Sequence, residues 1–204
     1  MHGTTNHGAE VLDGSTPPQP TLYHHPTGPI GQLFNALPNK DLTSQTAVLG
    51  LGAGSMACYS KPGQQWTFYE IDPVIERIAR DPSLFTYLRD CPAEFNVVLG
   101  DARLELAHAP EAGYGLIVAD AFNSDAVPVH LLTREAIDLY LSKLKSDGVL
   151  AFDISNRYVD AFPIRLGSGS HDAGNLPRLD SQALCRKSIS TLAPTLLRQR
   201  ERGR

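Results

Sequence analysis

Three glycines and a set of carboxylates carry the chemistry that can be read from this chain. Gly50, Gly52 and Gly54 fall at the end of the apolar run Thr46-Ala47-Val48-Leu49-Gly50-Leu51. Glycine lets a backbone turn with positive φ or lie directly against a ligand, so such a loop suits a polar small molecule held by main-chain groups. The spacing G-x-G-x-G departs from the G-x-G-x-x-G dinucleotide fingerprint. Glu70 then closes a second apolar run, Trp66-Thr67-Phe68-Tyr69-Glu70. A nucleoside-binding α/β sheet places there the acid that receives the ribose hydroxyls. A carboxylate fits because it offers two acceptor oxygens to two adjacent O–H donors. Gly100-Asp101-Ala102 ends a third run; Asp101 suits an adenine amino group, and equally suits the N-cap of a following helix. Asp72 and Ala102 complete the candidate nucleoside contacts with Gly50, Gly52, Gly54, Glu70 and Asp101.

A second pair of acids follows the fourth apolar run. Asp120 and Asp125 lie in Asp120-Ala121-Phe122-Asn123-Ser124-Asp125-Ala126-Val127-Pro128, beyond the strand end where open α/β sheets bind substrates. An amine has a pKa of about 10 and must lose a proton before its nitrogen can attack carbon. A carboxylate can both attract the cation and take that proton. Asp125 has the alternative of capping a turn before Pro128.

The elements that must position these groups are strands and helices in alternation. Short apolar runs at Thr46 to Leu51, Trp66 to Glu70, Phe95 to Leu99, Tyr114 to Asp120 and Val149 to Ile154 read as strands buried on both faces. Asp72-Pro73 reads as N-cap and first residue of a helix striped by Val74, Ile75 and Ile78. A short helix is expected over Ala102 to Ala107. Another is expected from its cap Thr133 to Lys145, with Ala136, Ile137, Tyr140, Leu141 and Leu144 on one face, and Asp147-Gly148 is expected to turn into the fifth strand. The alternation implies a parallel sheet with right-handed crossovers. Before it, Thr21-Leu22-Tyr23-His24-His25 reads as a short strand, and Leu33, Phe34 and Leu37 as one or two helical turns. The expected organisation is an N-terminal β/loop appendage over 1–45, a Rossmann-like nucleoside-binding domain over 46–160, and a weakly ordered or aberrant tail over 161–204. That tail contains Gly167-Ser168-Gly169-Ser170 and a basic end, and the last strands of a full sheet are not found in it.

Composition narrows the classes. The 204 residues suffice for one well-buried domain. A net charge of -4 argues against the basic footprint of a nucleic-acid binder. No run of about 18 apolar residues is present, the first residues lack the pattern of a secretory signal, and no Gly-x-x-x-x-Gly-Lys-Ser/Thr loop occurs. Cys58, Cys91 and Cys185 are odd in number and scattered, and are expected as reduced thiols in a cytoplasmic protein.

Together, Gly50 to Gly54, Tyr69-Glu70-Ile71-Asp72-Pro73, Gly100-Asp101-Ala102-Arg103 and Asp120 to Pro128 resemble the polyamine aminopropyltransferase (spermidine synthase) family. The segments 2–8 and 23–31 resemble its spermidine synthase-like branch, which is often fused to a transporter-like membrane region. The resemblance covers roughly residues 2 to 160. It implies a class I S-adenosylmethionine methyltransferase-like Rossmann fold with a parallel-rich sheet and a small N-terminal β appendage, from which this chain departs in that the C-terminal strands are expected to be incomplete. It implies decarboxylated S-adenosylmethionine as co-substrate, no metal, and transfer of its aminopropyl group to putrescine or a similar amine. Glu70 would bind the ribose, Asp101 the adenine, and Asp120 would be the catalytic base. Asp125 would hold the cationic substrate, with Tyr23 and His24 lining the same cavity. The chain departs from the family's pattern at the glycine loop, which reads Gly-Leu-Gly-Ala-Gly-Ser55 in place of Gly-Gly-Gly-Asp-Gly-Gly. It departs again at His25, where the family has an acid, at Glu10, where the family has an amide, and in the longer spacing from Asp120 to Asp125. The tail matches nothing in the family, as a frame-shifted or truncated reading of a longer gene would produce. An S-adenosylmethionine-dependent methyltransferase and a non-catalytic remnant are the competing readings. Expected partners are a small-molecule amine and a second copy in a homodimer, with no nucleic acid and no membrane segment.

Overall fold

The computed structural model describes residues 8–37, 40–121 and 128–153. Asp125 and the tail expected over 161–204 lie outside the described residues. Five strands form one sheet: β1 Gln45–Leu49, β2 Gln65–Glu70, β3 Glu94–Leu99, β4 Tyr114–Ala119 and β5 Leu144–Phe152. Their order is β3-β2-β1-β4-β5 and every pairing is parallel. The chain therefore builds outward from β1 to β3, returns to the other side of β1, and continues with β4 and β5. The carboxyl ends of β1 and β4 flank the point where the order reverses, and such a point opens a crevice for ligands. This is the expected methyltransferase-like Rossmann arrangement.

Period-two alternation sorts the side chains onto two faces. Val48, Phe68, Leu116 and Val118 face one core. It is covered by α1 (Pro29–Ala36), the 3-10 turn Ser55–Tyr59, α2 (Pro73–Arg80) and α3 (Tyr87–Asp90), through Ile30, Leu33, Met56, Ala79 and Tyr87. Ala47, Leu49, Tyr69, Ile117 and Ala119 face the other, under α4 (Ala102–Ala107) and α5 (Arg134–Lys143), which supply Leu106, Ile137 and Tyr140. All of β4 is buried, as its unbroken apolar run requires.

The helix starts follow the sequence signals. The Asp72 side chain accepts from the Val74 N–H with Pro73 at the first helical position, and Thr133 accepts from the Ala136 N–H. Helix α5 ends at Lys143, and β5 begins at Leu144. The expected turn at Asp147-Gly148 is an irregularity within β5, where the register passes from Tyr114 opposite Leu144 to Leu116 opposite Val149.

Some expectations are corrected. Among the described residues 8–44 no strand occurs. Thr21 to His25 instead forms the 3-10 turn Leu22–His24, because the His24 and His25 N–H groups bond locally to the Thr21 and Leu22 carbonyls rather than to a neighbouring edge. The glycine loop leads into the 3-10 turn Ser55–Tyr59. Few residues separate it from β2, and Pro62-Gly63 interrupts them. Finally, Cys58 and Cys91 are joined in a disulfide, tying that 3-10 turn to the end of α3. The expectation of a cytoplasmic protein had the reduced thiols as its ground, and for these two that ground is removed. Among the described residues no helix is long and apolar enough to cross a membrane.

Candidate functional site

The register of the central strands brings the candidate residues together. Leu49 pairs with Ala119, so the glycine loop and Asp120 leave the sheet side by side, and the Asp120 N–H donates to the Leu49 carbonyl at 2.9 Å. Gly50 has φ +107°, and a Cβ there would collide with the Asp120 carbonyl oxygen. That contact, together with the conformation, explains glycine at this position. Gly52 and Gly54 complete the loop, and Gly54 donates its N–H to the Leu51 carbonyl at 2.9 Å to close the turn.

Glu70 is buried at the end of β2. One carboxylate oxygen accepts the Leu51 N–H at 3.0 Å and the other accepts the Asp72 N–H at 2.9 Å. The acid thus fastens the glycine loop to its own strand end. Each oxygen keeps a second lone pair for a hydroxyl donor. Asp72 is used as the cap of α2, its Oδ1 accepting the Val74 N–H at 2.7 Å. Asp101 realises the capping alternative. Its Oδ1 accepts the Arg103 and Leu104 N–H groups at 2.9 and 3.1 Å, and its Oδ2 lies 3.0 Å from His130 Nε2. Ala102 opens α4 with its side chain in the core beside Leu106 and Tyr69.

Around Asp120 the structure assembles a buried polar group. His24, 4% exposed, places Nε2 2.8 Å from Asp120 Oδ2 and Nδ1 2.7 Å from Ser55 Oγ. The Tyr59 hydroxyl donates to the His24 carbonyl at 2.6 Å and stacks its ring on Phe34 of α1, so the 3-10 turn Ser55–Tyr59 holds His24 by both side chain and backbone. Burial pushes the Tyr59 phenol up to about 12, which keeps it a donor. Tyr23 packs edge-on against the His24 ring at 4.4 Å. Its phenol is pushed well above the ordinary range, first by burial and then by the charges of Asp120 and Asp153. Asp120 Oδ1 is buried and has no hydrogen-bond partner among the described residues.

Tyr23, His24 and Asp120 therefore meet next to the glycine loop and Glu70. Two members were not among the sequence candidates. Ser55 was legible only as a departure from the family's glycine, which did not reveal that its hydroxyl would face a histidine. Asp153 follows Phe152, which pairs with Ala119, so it stands beside Asp120 at the same edge, with its N–H on the Ala119 carbonyl at 2.9 Å. The signal for it was an acid directly past a strand end, as with Glu70 and Asp120.

No family model matches the chain. Over 125 residues it is 35% identical to a polyamine aminopropyltransferase of Vibrio vulnificus (strain CMCP6), a stretch covering 59% of this chain and 39% of that protein. The chain is similar to a polyamine aminopropyltransferase. It spans about two fifths of that relative's length. Solved structures to which the chain is similar include a probable spermidine synthase from Corynebacterium glutamicum (TM-score 0.45, 23% identity, 60% of this chain and 43% of that one). They also include the spermidine synthase of Thermotoga maritima (TM-score 0.46, 17% identity, 58% and 42%). A SAM-dependent methyltransferase from Archaeoglobus fulgidus is similar as well (TM-score 0.42, 18% identity, 59% and 48%).

Proposed function

We propose that this chain is a transferase that moves an aminopropyl group from decarboxylated S-adenosylmethionine to putrescine or a similar amine. The observation that carries this reading is Asp120 Oδ1, a buried carboxylate oxygen without a partner among the described residues at the crevice where β1 and β4 diverge. An acceptor withheld from water and from protein donors is costly to keep, and an ammonium or amine donor relieves that cost. The similarity to the Vibrio vulnificus protein supports the same reaction class.

On this reading the nucleoside of the donor lies over the glycine loop, with its ribose hydroxyls on the remaining lone pairs of Glu70. Asp101 borders the adenine, although both of its oxygens already serve other groups. The acceptor amine sits at Asp120, beside Tyr23 and His24, and Asp153 adds a second negative charge. Asp125 belongs to the proposal as a further contact to the cationic substrate, from outside the described residues. The amine nitrogen forms a bond to the aminopropyl carbon next to the sulfonium while the carbon–sulfur bond breaks. Methylthioadenosine leaves with the bonding electrons, and the proton released by the nitrogen goes to Asp120 Oδ1. The chain supplies position, a proton acceptor and negative potential, and needs no covalent enzyme intermediate.

Calorimetric titration with decarboxylated S-adenosylmethionine, S-adenosylmethionine and methylthioadenosine, followed by a product assay with putrescine, tests this directly. Binding of the decarboxylated donor is expected, with turnover falling about 10²- to 10⁴-fold in Asp120→Asn, the usual weight of a general base. Preference for the carboxylated donor would assign a methyltransferase instead. No binding of any of the three would leave a non-catalytic remnant.

A further inference from the structure

The acceptor on which the proposed reaction depends is held by a histidine whose other nitrogen is itself held. An ionised Asp120 can only accept, so the 2.8 Å contact from His24 Nε2 to Oδ2 requires the proton on Nε2. Nδ1 must then suit Ser55 Oγ at 2.7 Å. Ser55 is 4% exposed, and His24 Nδ1 is the acceptor available to its hydroxyl among the described residues. The arrangement that satisfies every buried atom of the pair has the Ser55 O–H donating to a bare Nδ1 and the Nε2–H donating to Asp120. Reversing the imidazole tautomer would face Nε2 and Oδ2 as two acceptors and leave the serine proton without its partner, and buried polar groups of that kind are costly.

Ser55 owes its place to the loop before it. Gly54, with φ +82°, directs the chain into the 3-10 turn, and a Cβ at Gly54 would press within 3.1 Å of the Leu88 side chain. Four residues on, Tyr59 fixes the His24 backbone. The nucleoside loop and the amine-side carboxylate are therefore joined by three side chains in series: Ser55, His24 and Asp120.

We propose that Ser55 is a positioning residue, which through His24 Nδ1 fixes the tautomer and ring orientation that anchor Asp120 Oδ2 and leave Oδ1 open to the acceptor amine. The effect on turnover rests on the aminopropyl-transfer reading; the tautomer itself does not. The test is ring ¹⁵N NMR of His24 in the full chain at neutral pH, for the wild type, Ser55→Ala and Ser55→Thr, combined with steady-state kinetics on putrescine. The wild type is expected with its proton on Nε2 and with Nδ1 accepting from Ser55. Ser55→Ala is expected to show a mixed or altered tautomer, and Ser55→Thr, which keeps the hydroxyl, to restore it. The kinetic counterpart is a fall in kcat of about tenfold in Ser55→Ala, the weight of one hydrogen bond, with donor affinity little changed. An Nδ1–H tautomer in the wild type overturns the proposal, and needs no variant to fold. So does an unchanged Nε2–H tautomer in Ser55→Ala, even if the wild type is active. A wild type with the expected tautomer and its dependence on Ser55, but without transfer, supports the positioning and overturns the aminopropyl reading alone.

Discussion

Asp120 has one oxygen tied to His24 and the other without a protein partner among the described residues, and it sits against Gly50, where a Cβ would strike its backbone. Gly50→Ala is accordingly expected to act on the site as well as on stability. An alanine at φ +107° with the Asp120 carbonyl in its way must move one strand exit or the other. A cost of about 1–3 kcal/mol, that of a strained backbone position, should appear in urea unfolding. Because the displaced group is Asp120 itself, the turnover of putrescine proposed above should fall further than the stability loss accounts for. Wild-type turnover from Gly50→Ala would show that the close packing of the two strand ends does not position the carboxylate. Glu70 makes the complementary point about legibility. Its place at a strand end was readable, but its two bonds to the Leu51 and Asp72 N–H groups were not. Those bonds depend on where the loop folds back, which lies in backbone angles and not in residue type.

At the scale of elements, the caps written in the sequence were used: Asp72, Asp101 and Thr133 each accept backbone N–H groups at the start of a helix. What local signals could not show is how one helix end satisfies another. Lys143, buried at the end of α5, donates through Nζ to the carbonyls of Ala107 and Ala109 at 3.0 and 2.7 Å, and pairs with Glu111. The cation thus closes the carboxyl end of α4, where a positive charge is favoured by the helix dipole. Lys143→Met keeps the stem but removes these charged donors, and should cost about 1.5–3 kcal/mol in chemical denaturation. A loss below a few tenths would mean that water satisfies those carbonyls equally well. The 3-10 turn Leu22–His24 belongs to this scale too. Its residues have strand propensity, but a strand needs a free edge within reach, and this segment instead curls to deliver His24 beneath Ser55.

For the molecule as a whole, the strand order puts Glu70, Asp101, Asp120 and Asp153 along one edge of the sheet. Each follows directly from, or lies close to, the carboxyl end of a different parallel strand. The Cys58–Cys91 disulfide braces that edge from one face by joining the turn after the glycine loop to the end of α3, across a sequence separation of 33. Closing a loop of that size is worth about 2–4 kcal/mol through the unfolded chain. Thermal unfolding with and without reductant should therefore differ by that amount. Cys58→Ser should lower stability by a similar amount and lose its sensitivity to reductant. Equal stability with and without reductant would show that the bridge does not form in the folded protein.

The sequence by itself determined the strands, their alternation with helices, the caps and the glycine loop, because each is set by local periodicity, backbone preference and short-range hydrogen bonding. It also marked Glu70 and Asp120, since an acid directly after an apolar strand has few local reasons to be there. Only the tertiary structure decided that Ser55, His24 and Asp120 form one buried chain, that Asp153 stands beside Asp120, and that Cys58 meets Cys91. Those partners are brought together by the order and register of a parallel sheet, with sequence separations of 31 and 96 residues for the two His24 bonds. No local pattern encodes a contact that exists only once the strands have paired.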